Sequence, residues 1–238
     1  MKRKLWVIII ISSFVGTCFI THYIGKVWHK SEQDNRHITY EKESKQPDGF
    51  KFIYIENKEI VNADSYIKMY ASMRYPADTD SQYKYAEEVI QGKIVGTEYF
   101  VFESIPWTQM KIECLDKFKG DLAKGETVTV YVMGGYIEAE EYEQEYGDCS
   151  IEEDVLVEMD FYQNELSDVG DEGIFFLVKN DKDSVFPQDT YSFLCSGHSK
   201  FMYDDQKSDI QVYNQSEEIE IMDQKEFMVD MKKRKSDN

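Results

Sequence analysis

The first 25 residues constrain this chain more than any other part of it. Met1-Lys-Arg-Lys4 precedes a run of 21 residues, 5–25, that holds no Asp, Glu, Lys or Arg. Coiled as a helix at 1.5 Å per residue, such a run spans about 30 Å, the thickness of a bilayer's hydrocarbon core. The basic cluster ahead of it belongs in the cytoplasm by the positive-inside rule. Trp6, Tyr23 and Trp28 stand near the ends of the run, where interfacial aromatics sit. Residues 1–30 therefore read as a cytoplasmic tip and a single-pass transmembrane anchor, with the remainder extracytoplasmic. Two other readings stay open. A cleaved signal peptide has a shorter apolar region and a small-x-small site, and no Ala-x-Ala ends this run. A lipoprotein signal places Gly or Ala before the acylated Cys, whereas Val15-Gly-Thr-Cys18 has Thr17 there.

Charge then separates the two parts of the chain. The whole sequence of 238 residues carries 27 basic and 46 acidic side chains, a net −19. Lys2, Arg3, Lys4, Lys26 and Lys30 all lie in the first thirty residues, which hold no acid; without them, 22 basic face 46 acidic groups, a net −24. A polyanion of this size repels the phosphate backbone, so a nucleic-acid partner is excluded. A cationic partner is the natural opposite. With 42% hydrophobic and 14% aromatic residues, the chain is too apolar to be wholly disordered.

Residues 31–49 are polar, show no apolar period and end in Lys45-Gln-Pro-Asp-Gly49, the composition of a linker. Residues 50–220 read as β structure. Phe50-Lys-Phe-Ile-Tyr-Ile55 is aromatic and β-branched. Residues 66–73 suit a short helix or strand. Ser81 is placed to cap a helix with Tyr83, Ala86 and Val89 on one face. Residues 89–95 start a strand that 98–102 continue or pair with. Residues 108–115 alternate, with Met110, Ile112 and Cys114 on one side. Residues 126–132 form the clearest strand, stopped at Gly134-Gly135, and 155–159 suggest another. Residues 173–178, Gly-Ile-Phe-Phe-Leu-Val, are continuously apolar, as a central strand buried on both faces should be. Residues 190–195 and 200–203 add two more. Many short strands with Gly-containing turns predict a mainly β fold with a few short helices, a barrel or a sandwich. Val89, Ile94, Ile112, Val128, Val130, Phe175 and Leu177 are expected to share its core. Residues 221–238 read as a charged C-terminal tail, helix-like or frayed, with Phe227, Met228 and Met231 in a loose apolar stripe and a solvated basic cluster at 232–235.

The order of these segments resembles a group of exported, mostly uncharacterised proteins of Gram-positive bacteria. Ala86-Glu-Glu-Val-Ile-Gln-Gly-Lys-Ile94 is similar to their opening strand. Residues 112–121 and 124–130 resemble the strand, turn and strand that follow. Asp171-Glu-Gly-Ile-Phe-Phe-Leu-Val178 resembles a later strand, and residues 195–205 the closing hairpin. The resemblance covers roughly residues 85–212. It implies a small OB-like β-barrel on the outer surface and no established enzyme activity. It supplies no functional residues, and Cys195 and His198 depart from its pattern.

Candidate chemistry is sparse. Cys114, Cys149 and Cys195 lie beyond the anchor, on the side of the membrane where disulfides persist. Cys114 sits at an inward strand position and reads as a small buried hydrophobe. Cys149 and Cys195 flank loops, with 45 residues between them; a bridge there would contribute on the order of 3–4 kcal/mol in the chain-entropy model. Free thiols are the alternative. His198, the only His after His37, has Ser196 and Ser199 beside it and Cys195 three residues before. A triad or a zinc site needs partners that no motif supplies. The stretch 138–154 carries nine carboxylates, among them Glu138, Glu140, Glu141, Glu143 and Glu145. No spacing fits a calcium loop, and Asp181-Lys-Asp183 begins one only to fail at Val185 and Phe186. The stretch reads as a solvated acidic loop and the best surface for a cationic partner.

P-loop, dinucleotide, H-E-x-x-H and wall-sorting motifs are absent from the sequence. The chain thus reads as a membrane-anchored binding or scaffolding domain, not an enzyme, with no cofactor and no catalytic or metal-ligating residue assigned. The alternatives are an extracellular hydrolase or metal-dependent enzyme built on His198 and nearby carboxylates, and a calcium-binding surface protein.

Overall fold

The strands that the alternating pattern predicts wind into a closed ring. The computed structural model describes residues 49–62, 78–147, 154–160, 166–203, 209–213 and 219–236. The elements before the ring are β1 (Lys51–Ile53), β2 (Glu59–Asn62) and α1 (Thr79–Tyr85). The ring is built from β3 (Glu88–Phe102), β4 (Ile105–Lys119), β5 (Thr127–Met133), β8 (Glu172–Lys179) and β9 (Tyr191–Phe193). Their order is β3-β4-β5-β9-β8, and β8 returns to pair with β3. Only the β5–β9 contact is parallel. A ring of this kind leaves no free edge among its members.

The interior holds the side chains of alternate positions. Ile94, Met110, Ile112, Cys114, Val128, Val130, Phe175 and Leu177 pack into one cluster. Six of the seven expected core residues meet there. Val89 does not: it joins Ile174, Phe176 and Phe201 on the outer side of the wall. Plain alternation accounts for this: Val89 precedes the inward Ile90 and pairs with the outward Phe176, so its side chain takes the opposite face from Ile90 and Ile94. The run 173–178 is a central strand with both faces covered: Phe175 and Leu177 point inward, Ile174 and Phe176 outward, and all four are fully buried.

The outward face of β8 is covered by the C-terminal elements. β10 (Lys200–Met202) extends the sheet by pairing antiparallel with residues 173–175 of β8, and the cover is the hairpin of β11 (Asp209–Tyr213) and β12 (Ile219–Asp223) with α3 (Gln224–Ser236). Phe227 and Met231 of α3 are buried against Phe201 and its neighbours. The stripe read in the sequence is therefore real and anchors the end of the chain. The basic cluster is not simply solvated: Arg234 pairs with Asp80 at 2.7 Å and Asp230 at 2.7 Å, and Lys235 with Asp116 at 3.1 Å. The helix α1 is capped by Asp78 rather than Ser81; the Asp78 carboxylate accepts from the Ser81 N–H at 3.0 Å.

β3 and β4 are each 15 residues long and outgrow the ring. They pair with each other to the hairpin turn at Glu103 and Ser104. The other edge of β3 changes partner along its length: β8 pairs with Glu88 to Lys93, and β1 with Tyr99 to Val101. One face of this projecting ribbon carries a second sheet, β2-β7-β6, of β6 (Gly135–Glu138), β7 (Val155–Met159) and β2, with β2 and β7 parallel. Tyr99, Val101, Ile53, Tyr136, Ile137 and Val157 fill the space between. Among the described residues no helix is long and apolar enough to cross a membrane. The expected anchor and linker, residues 1–48, lie outside them.

Candidate functional site

The other face of the same ribbon is aromatic. Strand alternation puts Phe50 and Phe52 beside Phe102 and Phe100, because Phe52 pairs with Phe100 across β1 and β3. Trp107 of β4 pairs with Phe100, and Tyr131 of β5 pairs with Gln109 one step along. Phe100 and Tyr131 are buried, while Phe50, Phe52, Phe102 and Trp107 remain partly exposed. Phe50 stacks on Phe100 with centroids 4.4 Å apart and meets Phe102 edge-on at 5.0 Å. Aromatic pairs of these geometries contribute about 0.5–1.5 kcal/mol each beyond their burial.

A polar row borders the rings. The Tyr131 hydroxyl donates to Gln109 Oε1 at 2.8 Å, and Gln109 Nε2 donates to Glu98 Oε2 at 2.7 Å. Burial pushes the Tyr131 phenol up to about 12, with the charges of Glu98 and Asp189 adding to the effect. Trp107 contributes a different feature. Its Nε1–H is buried without a hydrogen-bond partner among the described residues. Such an orphaned donor costs about 1–3 kcal/mol unless something supplies an acceptor.

The face is roofed by the loop 180–190, which joins β8 to β9. Phe186 lies flat on Tyr131, with centroids 4.2 Å apart and planes 3° from parallel. It also meets Trp107 edge-on at 4.9 Å and Phe50 at 6.1 Å. The neck of the loop is tied by Asn180, whose Nδ2 donates to Thr190 Oγ1 at 2.9 Å and whose Oδ1 accepts from Ser192 Oγ at 2.8 Å.

The residues singled out in the sequence lie elsewhere. The acidic stretch is not a loop at its start: residues Ala139–Tyr146 form the helix α2. Ala139 and the fully buried Tyr142 give it an apolar face against the second sheet, and an alternation of acids with Ala and Tyr disguised that face. Of the proposed contact residues, Glu138, Glu140 and Glu145 are exposed, and Glu141 and Glu143 half-buried. Lys51 answers two of them, reaching Glu138 at 2.7 Å and Glu141 at 2.9 Å. Burial opposes its charge, but those two hydrogen bonds prevail and raise its pKa. Since Lys51 lies between Phe50 and Phe52, the acidic helix and the aromatic face lie on opposite sides of β1.

Cys149 falls outside the described residues, so its pairing with Cys195 has no geometry. Cys195 is buried beside the 3-10 turn Ser196–Ser199. In that turn Ser199 Oγ donates to Gln82 Oε1 at 2.6 Å and accepts from the Cys195 N–H at 2.8 Å, while Gln82 Nε2 donates to the His198 carbonyl at 2.9 Å. Gln82 and Ser199 are fully buried, and these bonds fasten the turn to α1. Cys114 is buried as expected, and burial raises its thiol pKa. Among the described residues no three His, Cys, Asp or Glu side chains are grouped as a metal ion requires.

The aromatic face went unread because its members come from four separate segments. The signal was present in part: Phe50 and Phe52, like Phe100 and Phe102, repeat at the two-residue spacing of one strand face. No family model matches the chain, and no curated protein or solved structure is similar to it.

Proposed function

We propose that this chain is a membrane-anchored, extracytoplasmic binding domain of OB-like barrel type that holds a cationic protein partner on its aromatic face. The ring order and its one parallel contact support the OB-like reading, as does the resemblance to exported Gram-positive proteins. In such barrels the second and third strands, with the loops between strands one and two and between four and five, carry the ligand. Here those elements are β4, β5, the β3–β4 hairpin and the 180–190 loop, and they supply Trp107, Tyr131, Phe102 and Phe186, while Phe50, Phe52 and Phe100 come from β1 and β3. The partly exposed cluster of Phe50, Phe52, Phe102 and Trp107, bordered by Gln109 and its partner Glu98, is the observation that carries the proposal. The net −24 of residues 31–238 turns the same surface away from nucleic acid and toward cations. Among the described residues the enzyme and calcium readings have no comparable constellation behind them.

Two experiments test it. Protease added to wall-stripped cells should remove a C-terminal tag; a tag that stays protected ends the extracytoplasmic reading. Calorimetric titration of the full chain in detergent micelles with a capped Arg-Gly repeat peptide should show binding that weakens with salt. Trp107→Ala should weaken it about tenfold or more, as removal of a central aromatic anchor does. Binding indifferent to both salt and Trp107 would overturn the assignment of the face.

A further inference from the structure

We propose that Phe186 is a built-in stand-in for the ligand, resting on Tyr131 in the slot that an arginine side chain of a basic partner segment takes when the 180–190 loop lifts. The inference rests on the binding role assigned to this face and specifies how the face is regulated. The slot fits a flat group, since a ring already lies there 3° from parallel with Tyr131. Trp107 and Phe50 flank it, each with its ring plane 72° from that of Phe186. Its rim is anionic: Glu98 joins Tyr131 through Gln109, and Asp189 lies close enough for its charge to act on the Tyr131 phenol. A phenyl ring makes no use of that charge. A guanidinium is planar, cationic and suited to stacking on an aromatic ring, whereas an ammonium is a compact point charge.

Two further features fit a displaceable roof. Phe186 is the only buried apolar side chain of the loop, and its neighbour Val185 is 53% exposed. The neck is cinched by Asn180 and Thr190, and Ser184 bonds back to Asp181, so the loop holds its own shape without the barrel face. Lifting it therefore breaks one set of ring contacts rather than a network. The orphaned Nε1–H of Trp107 adds a requirement that an isolated guanidinium cannot meet. A peptide carbonyl can, and this selects an arginine carried on a chain.

The test compares the full chain with its Phe186→Ala variant, using the capped Arg-Gly repeat peptide and a Lys-Gly repeat of equal length. A site competent only with the loop lifted binds in proportion to the lifted fraction. Phe186→Ala should therefore raise affinity for the Arg peptide about tenfold or more, with a smaller gain for the Lys peptide. Adding Tyr131→Leu should cancel the gain. Phe186→Leu, which keeps apolar bulk but not the flat ring, serves if the alanine variant does not fold, and should show a gain of the same sign. Unchanged or weaker Arg-peptide binding in a folded Phe186 variant overturns the proposal. If that variant fails to gain while Trp107→Ala still weakens wild-type binding, the stand-in is wrong and the face is right. If neither substitution matters, both readings fall.

Discussion

The two faces of β4 and β5 carry opposite kinds of side chain. Inward, Met110, Ile112, Cys114, Val128, Val130 and Val132 fill the ring with aliphatic and sulfur side chains, most of them wholly shielded from water. Outward, the same strands present Trp107, Gln109 and Tyr131, which meet rings from β1, β3 and a loop. The inner face is closed by its own strands. The outer face needs a roof, and the roof is one phenylalanine. Close packing that nothing can enter makes a fold stable; aromatic packing closed by one ring from a loop is where the proposed exchange of Phe186 for a partner's side chain would take place.

The comparison is broken most severely from inside. Phe175→Ala should cost about 3–5 kcal/mol, the range for truncating a fully buried aromatic. Denaturant unfolding measures it, and a loss under about 1 kcal/mol would show that β8 is not the central strand. Gly92→Ala comes next. A Cβ there would sit 2.5 Å from Ile112 Cγ2 and 3.2 Å from Phe175 Cδ2, and the stiff β-branched Ile112 has little room to yield. Overpacking of this sort costs about 1–3 kcal/mol, read as a fall in melting temperature with binding at the outer face unaltered.

That interior was largely legible in the sequence. Residues 108–115 and 126–132 alternate, and 173–178 run continuously apolar, because a wall with one dry face imposes period two and a strand with two dry faces abolishes it. Grouping Val89 with Ile94 is wrong, since the two stand five residues apart and period two puts them on opposite faces of the strand. The second sheet was only partly legible. The parallel pairing of Glu59 with Val155 joins segments almost a hundred residues apart, and no local pattern encodes that. The roof was invisible for the same reason: Phe186 sits in a turn-rich segment whose local signals say only loop.

The outer face should respond to smaller changes in a different way. Tyr131→Phe keeps the stacked ring but removes the hydroxyl that donates to Gln109. It should cost about 0.5–1.5 kcal/mol and leave Arg-peptide binding nearly intact, because the slot is defined by the ring. The same hydroxyl gives an alkaline signature. Burial raises its pKa from the ordinary 10 to about 12, so between those values the unfolded chain has released a proton that the folded chain keeps. This contribution to stability is whole below pH 10 and is lost as pH rises through 12. Tyr131→Phe should flatten that part of the pH profile in thermal melts; an unchanged profile would show that Tyr131 does not titrate late.

The least effect is expected at the acidic helix. Lys51→Ala frees Glu138 and the half-buried Glu141, but Lys51 and Glu138 are about half exposed, and such pairs contribute less than about 1 kcal/mol. The loss should shrink further in high salt. A larger, salt-independent loss would mean that β1 and α2 depend on each other for folding.

The most direct test uses the single tryptophan of the face. The chain has three Trp, at positions 6, 28 and 107. Trp6→Phe and Trp28→Phe leave Trp107 as the sole indole, with its ring 4.9 Å from Phe186 and its Nε1–H buried. Titrating that full chain in micelles with the Arg-Gly peptide should shift and saturate Trp107 emission in step with calorimetric binding, and high salt should abolish both. Peptide binding seen by calorimetry while Trp107 emission stays unmoved would place the partner elsewhere and contradict the account.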